Sequence, residues 1–364
     1  MTCKQGEHKI HVYVKRKQFL LFFPLIILLP LICSCVPKTP ETKGIILGFS
    51  QIGAESAWRN CNTRSVQEAA LEAGVQLLLF NAEQKQENQI KAIRSCIAYQ
   101  VDVIAFVPIV SVGWENVLEE AREAKIPVLI CDREINIEDE TLYAGYLGTD
   151  MLKQGQSAAE YLIKKFTELA EDGGSMTHNP AGPDGEPAVS ETGEPAAAGK
   201  EIVRIVELQG TEGSSPAIKR AQGFREALAG YPLFEIIYSE SGDFLRSKGY
   251  ELMCHILENF QDIDVIYSHN DGMTLGAIDA MKERGIKPGK DIIIVSIDAE
   301  QAAIDALRRG EINCVVECNP KQGRDIMRLA GHLSRKESIP RLIYMAEEVF
   351  TEWDDLSALP PRGY

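Results

Sequence analysis

The chain has 364 residues, a length that suits two domains at roughly 100–200 residues each. With 45% hydrophobic and 25% charged residues, its composition is that of a soluble globular protein and argues against a multispanning membrane protein or a disordered chain. A net charge of -15 argues against a nucleic-acid partner, because phosphate backbones are held by basic surface.

In chain order, Lys15, Arg16 and Lys17 precede an apolar run at 19–32 (FLLFFPLIILLPLI), broken by Pro24 and Pro30 and short for a membrane span. That order predicts a secretory leader. It closes on Ile32-Cys33-Ser34-Cys35, which resembles the lipobox of bacterial lipoproteins. The resemblance implies removal of 1–34, a lipid on Cys35 and attachment to the membrane, with Cys33 departing from the small or aliphatic residue commoner there. A plain cleaved leader or an uncleaved anchor is the alternative. Residues 35–43 form a polar, proline-bearing tether expected to be disordered.

From residue 44 onward, short apolar runs alternate with helical patterns. The runs are 44–49 (GIILGF), 75–80 (VQLLLF), 103–107 (VIAFV), 127–131 (PVLIC), 202–208 (IVRIVEL), 234–238 (FEIIY), 265–268 (VIYS), 292–297 (IIIVSI) and 312–316 (INCVV). Continuous apolar runs imply burial on both faces, as in parallel sheets covered by helices. Segments 57–73, 86–99, 114–124, 153–169, 214–228 and 272–284 carry apolar residues at helical spacing, and Gly74, Gly230 and Gly285 follow helices as stop signals. The phase repeats in each half. The fold class is therefore α/β, with two similar doubly wound parallel-sheet domains. Residues 172–199, rich in glycine, proline and acids, read as a flexible surface insertion without a function of its own.

Several segments in this order resemble the type I periplasmic sugar-binding proteins of the ribose-binding class, and most of all those that serve galactofuranose ABC transporters. They are 48–59 (GFSQIGAESAWR), 80–95 (FNAEQKQENQIKAIRS), 107–133, 206–224 (VELQGTEGSSPAIKRAQGF), 241–249 (SGDFLRSKG), 267–292 and 296–299 (SIDA). The resemblance implies two domains joined by three crossings and hinged around an interdomain ligand cleft. The first would hold 44–150 plus 319–345, the second 151–318 plus 346–364.

A sugar presents hydroxyls at its edge and apolar faces, so its site calls for charged, planar hydrogen-bonding groups and aromatic surface. Asp132 and Arg133 follow the run PVLIC, and the resemblance matches them to an Asp-Arg pair that grips hydroxyls. It likewise matches Asn270 and Asp298, each after a strand, to ligand contacts, with Asp271 expected to be an N-cap. Phe244 matches a stacking aromatic. The loop after the first strand offers Gln51, Ser56, Trp58 and Arg59, with Arg59 the favoured direct contact, and Glu317 is a further acceptor. Structural roles as salt bridges, caps or core anchors are the alternatives. Two departures, Ile218 where ribose binders place an arginine and Val107 where they place an asparagine, argue against ribose.

No phosphate loop, nucleophile elbow, zinc-protease motif or dinucleotide fingerprint occurs, and no C-x-x-C spacing marks a metal or redox site. The six cysteines of the mature chain read as buried free thiols, and His255 and His269 as core or site-supporting residues. Neither an enzyme nor a cofactor is expected. The expected partners are a monosaccharide and the permease of an ABC transporter, with the protein a monomer outside the cytoplasm. Signalling to a membrane receptor or sensor kinase is the alternative.

Overall fold

The computed structural model describes residues 44–171 and 202–364; the leader, Cys35, the tether, the 172–199 insertion and His178 lie outside the described residues. The first sheet takes β1 (Ile46–Gln51), β2 (Gln76–Asn81), β3 (Val103–Phe106), β4 (Val128–Asp132) and β5 (Gly145–Gly148), with α1 (Ala57–Ala73), α2 (Gln86–Tyr99) and α3 (Glu115–Glu123) between them. After α4 (Met151–Glu171) the chain enters a second sheet. This sheet takes β6 (Val203–Gln209), β7 (Phe234–Ser241), β8 (Val265–Ser268), β9 (Ile293–Asp298) and β10 (Cys314–Glu317), connected by α5 (Ser215–Leu228), α6 (Arg246–Asn259), α7 (Asp271–Glu283) and α8 (Gln301–Arg308). The chain then returns through α9 (Gly323–Ser334) and β11 (Leu342–Tyr344) to the first sheet and ends beyond β12 (Val349–Thr351) in the second.

The strand orders are β11-β5-β4-β3-β1-β2 and β12-β10-β9-β8-β6-β7, the same doubly wound pattern twice. All pairings are parallel except β12, which runs antiparallel to β10. Central strands β3, β4 and β5 are buried along their whole length. The run VQLLLF forms β2, an edge strand half-buried on both faces, with Leu77 and Leu79 against one apolar cluster and Leu78 and Phe80 against another. Strands β5, β11 and β12, of three or four residues, were too short to leave a pattern.

Gly74 ends α1 in the left-handed region at φ 64°, its N–H donating to Ala70 and Leu71 carbonyls, and Gly285 follows α7 at φ 76°. Gly230 does not do this; Ala229 caps α5 in a right-handed conformation. The cysteines Cys61, Cys96, Cys131, Cys314 and Cys318 are buried and free, and Cys254 is half-buried and free. His255 is exposed on α6, contrary to the core or supporting role expected of it, while His269 is buried against Glu207 at 3.1 Å.

Helices α4 and α5 pack backbone against backbone. A Cβ at Gly155 would overlap the Arg220 carbonyl, and one at Gly223 would overlap that of Leu152. This contact sets the height of α5 over its sheet. Gly223→Ala should cost about 1–3 kcal/mol in denaturant unfolding, as overpacking does, and a variant of unchanged stability would show that the helices separate freely.

Candidate functional site

The carboxyl ends of both sheets face one cavity, where open α/β domains place ligands. From the first domain, the loop after β1 leads into α1, whose N-cap Ser56 accepts from the Arg59 N–H at 3.1 Å. This fixes Arg59 in the first turn. Its Nε donates to Glu55 Oε1 at 3.0 Å and its Nη2 to Asp132 Oδ2 at 2.7 Å. Burial works against the Arg59 charge, but Asp132 and Glu55 outweigh it and hold the pKa above the ordinary value.

Asp132 is the last residue of β4 and has φ 59°. The Arg133 N–H closes a tight turn onto the Cys131 carbonyl at 2.6 Å, and Tyr146 Oη donates to the Asp132 carbonyl at 2.6 Å. Arg133 Nη1 donates to the Ile109 carbonyl at 3.1 Å, while its Nη2 stands 3.7 Å from Glu55 Oε1. Burial, reinforced by repulsion from Arg59, lowers the Arg133 pKa to about 10.

From the second domain, Arg220 projects from α5 with its Nε donating to Gln154 at 2.9 Å and its Nη1 to the His269 carbonyl. Its Nη2 lies 3.8 Å from Asp298 Oδ1. Asp298 ends β9 at φ 130°, and burial, opposed by Arg220 and reinforced by Asp271 and Glu300, pushes its pKa well above the usual carboxylate range. Phe244, at φ 61°, lies with its ring 5.2 Å from the Arg133 guanidinium carbon; the ring fits because residue 210 is a glycine, where a Cβ would overlap it.

These side chains, with Glu55, Ser56, Trp58, Met151, Pro216, Asn270 and Cys318, line one cavity. Among the described residues, three buried polar atoms of its lining have no partner: Arg59 Nη1, Arg133 Nε and Glu55 Oε2. Such groups are rare because each costs about 1–3 kcal/mol. Positive φ at Asp132, Phe244 and Asp298 is a second departure in the same place, and backbone strain of this kind clusters where a ligand is held.

Contacts between the domains close around the cavity. Trp58 sends its N–H to Glu300 Oε1 at 2.9 Å and its indole Nε1 to the Cys318 carbonyl at 2.5 Å, and its ring joins the second domain's apolar cluster. On the other side, Ser111 N–H reaches the Gly213 carbonyl at 3.0 Å, and Lys219 meets Glu134 at 2.5 Å.

Of the residues singled out in the sequence, Ser56, Trp58, Arg59, Asp132, Arg133, Phe244, Asn270 and Asp298 come together here. Gln51 and Glu317 do not line the cavity. Gln51 braces α1 through Asn62 and Thr63, at 2.9 and 3.1 Å. Glu317 is occupied by Arg362 and by the Glu348 N–H at 3.0 Å. The N-cap of α7 is Asn270, accepting from Met273 N–H at 3.0 Å; Asp271 is instead buried, accepting from Ser296 and from the Glu300 N–H at 2.7 Å.

Sequence reasoning missed Arg220. Ile218, read as replacing a site arginine, is 48% exposed on the outer face of α5, whereas Arg220 is 3% exposed and turned inward. The signal was available: Ala217, Arg220, Phe224 and Leu228 form the buried stripe of α5, and a charge in an apolar stripe needs a reason. Val107, the other departure, is buried with its carbonyl held by Gln89 at 2.6 Å and lies away from the cavity.

No group of three or more acidic, histidine or cysteine side chains fit to hold a metal occurs among the described residues, and no described helix is long and apolar enough to cross a membrane. The family described as periplasmic binding protein domain matches residues 47–338. The galactofuranose-binding protein YtfQ of Escherichia coli is 40% identical over 279 residues, 76% of this chain and 78% of that one. A Mycobacterium smegmatis protein in complex with β-D-fucofuranose superposes with a TM-score of 0.77 at 38% identity, over 88% of this chain and 95% of that one. The binding component of the arabinose ABC transporter from Shewanella sp. ANA-3, bound to α- and β-L-arabinofuranose, gives 0.73 at 37%, over 84% and 92%. Two winding sheets, a shared cavity at their carboxyl ends and these matches lead to one conclusion: the chain belongs to the periplasmic binding protein family.

Proposed function

We propose that this protein is an extracytoplasmic solute-binding protein, acting as a monomer, that closes on one monosaccharide in furanose form and delivers it to the permease of an ABC transporter. The observation that carries the reading is the cavity itself: buried arginines and acids from both domains, with Arg59, Arg133 and Glu55 each keeping an unpartnered polar atom. Ring hydroxyls, which donate and accept, complete such a set. Of the three relatives above, one is named for galactofuranose and the other two are bound to fucofuranose and arabinofuranose, all five-membered rings.

In this reading Glu55, Arg59, Asp132, Arg133, Arg220, Asn270 and Asp298 bond hydroxyls, Phe244 covers a face and Ser56 positions Arg59. Trp58 carries closure from one domain to the other. The domains comprise 44–150 plus 319–345 and 151–318 plus 346–364, and the three chain crossings between the sheets support those limits. Cys35 carries the lipid that keeps the protein at the membrane, a reading supported by the basic, apolar, Ser-Cys order before it.

D-galactose, supplied so that its minor furanose form reaches about 100 Kd, should stabilise the protein by about 2.7 kcal/mol in a thermal-shift assay; a response to amino acids or nucleosides alone would overturn the sugar assignment. Asp132→Asn and Arg133→Lys should each weaken calorimetric affinity at least tenfold, since each leaves a buried hydroxyl or its partner unpaired at about 1–3 kcal/mol. Loss of apo stability with unchanged affinity would make the pair merely structural.

Asp298 separates binding from folding. Its folded pKa is raised by burial, so the ionised form costs stability, and the cost grows as pH rises above the unfolded value of about 3.9. Asp298→Asn should therefore raise the sugar-free melting temperature at pH 7 while weakening sugar binding; a lower melting temperature would contradict this account. For the anchor, Cys35→Ala should release the protein from the membrane fraction, and unchanged membrane association would refute the lipid.

A further inference from the structure

Beside this cavity lies a second one, and the two share Glu55, Ser56 and Phe244 in their walls. It lies at the mouth of the cleft, between the start of α1 on one domain and the starts of α6 and α7 on the other. Its lining differs in kind. Ala54 and Ala57 supply methyl groups, Gly272 bare backbone, Leu275 and Phe244 apolar surface, and Asn60, Arg246 and Glu300 polar groups. At Gly272 a Cβ would stand 3.2 Å from Asn270 Nδ2 and 3.4 Å from the Phe244 carbonyl, so glycine keeps the space beside these two residues of the inner cavity open.

Contacts between the domains flank the inner cavity at Trp58 and at Ser111 against Gly213. Space next to a sugar site, lined by both apolar and hydrogen-bonding groups, is what a second sugar or an aglycone requires. A sugar joined to another group is joined most often through its anomeric oxygen, so the substituent at the mouth would be the glycosidic one.

We infer that the mouth cavity is a second subsite and that the protein takes furanosides, the terminal ring bound inside and its glycosidic substituent held between Ala57 and Leu275. This rests on the furanose reading of the inner cavity. Both readings are tested together by calorimetry on the full chain with D-galactose, its affinity referred to the minor furanose share present in solution, methyl β-D-galactofuranoside and 4-nitrophenyl β-D-galactofuranoside, using wild type, Ala54→Trp and Ala57→Trp. Both alanines are exposed and line only the mouth, so the tryptophans fill the outer cavity without entering the inner one or the core.

The expected result is that wild type binds the glycosides at least as tightly as the free sugar. The tryptophan variants should lose at least tenfold for the 4-nitrophenyl glycoside and stay within threefold for the free sugar. Free sugar binding with both glycosides excluded would overturn the subsite and leave the furanose reading standing. Glycoside affinity unchanged in both variants would also overturn it. Failure of all three probes would overturn the furanose reading and the subsite with it.

Discussion

Burying charge between two domains is the constraint on which this structure turns. Taking one carboxylate or guanidinium out of water costs several kcal/mol even after relaxation, and here Glu55, Asp132, Asp298, Arg59, Arg133 and Arg220 surround a single cavity. The arrangement holds because acids and arginines are interleaved and because four of these groups are delivered by regular elements. Asp132 and Asp298 end strands β4 and β9, Arg59 sits in the capped first turn of α1, and Arg220 is fixed on α5 by the close approach of α4. Strand ends bring strain with them, visible at Asp132 and Asp298, and the surrounding hydrogen bonds keep that strain in place.

Closure and burial are the same event. Trp58 belongs to α1 yet packs in the apolar cluster of the second domain and bonds Glu300 and Cys318, so opening the cleft would expose an indole and free two buried hydrogen bonds. The half-exposed Lys219 and Glu134 pair on the opposite lip adds little, as such pairs do. The last residues reinforce the closed form: Arg64 of α1 donates to the Gly363 carbonyl at 3.1 Å, and Tyr364 reaches the Asp298 carbonyl at 3.3 Å. A ligand shifts such an equilibrium only through contacts it makes in the closed state and lacks in the open one, which are those to groups from both domains.

The doubly wound class was legible because β-α-β punctuation leaves two periodicities in the chain, and the strand-end positions of Asp132, Asn270 and Asp298 followed from it. What the pattern could not supply was direction across a helix. Ile218 and Arg220 are two residues apart on α5, about 200° around its axis, and only the packing of Gly223 against α4 decides which one faces the cavity. Glu317 failed for a different reason. Its position at the end of β10 is right for a ligand contact, but Arg362, 45 residues later, claims it, and no local signal announces so distant a partner.

Recovering Arg220 changes what the sequence says about the ligand. An arginine thought absent is present, so specificity cannot lie in the loss of its charge; it must lie in how its charge is matched. The Arg220 and Asp298 pair stands at 3.8 Å and the Arg133 and Glu55 pair at 3.7 Å, close enough to neutralise one another and too far to share a hydrogen bond. These pairs are neutralised without being saturated. A charged ligand would upset the balance of signs in a site where repairing it is costly, whereas a hydroxyl can accept from the guanidinium and donate to the carboxylate of the same pair. In the proposed sugar reading, that unspent hydrogen-bonding capacity favours neutral polyols over charged ligands.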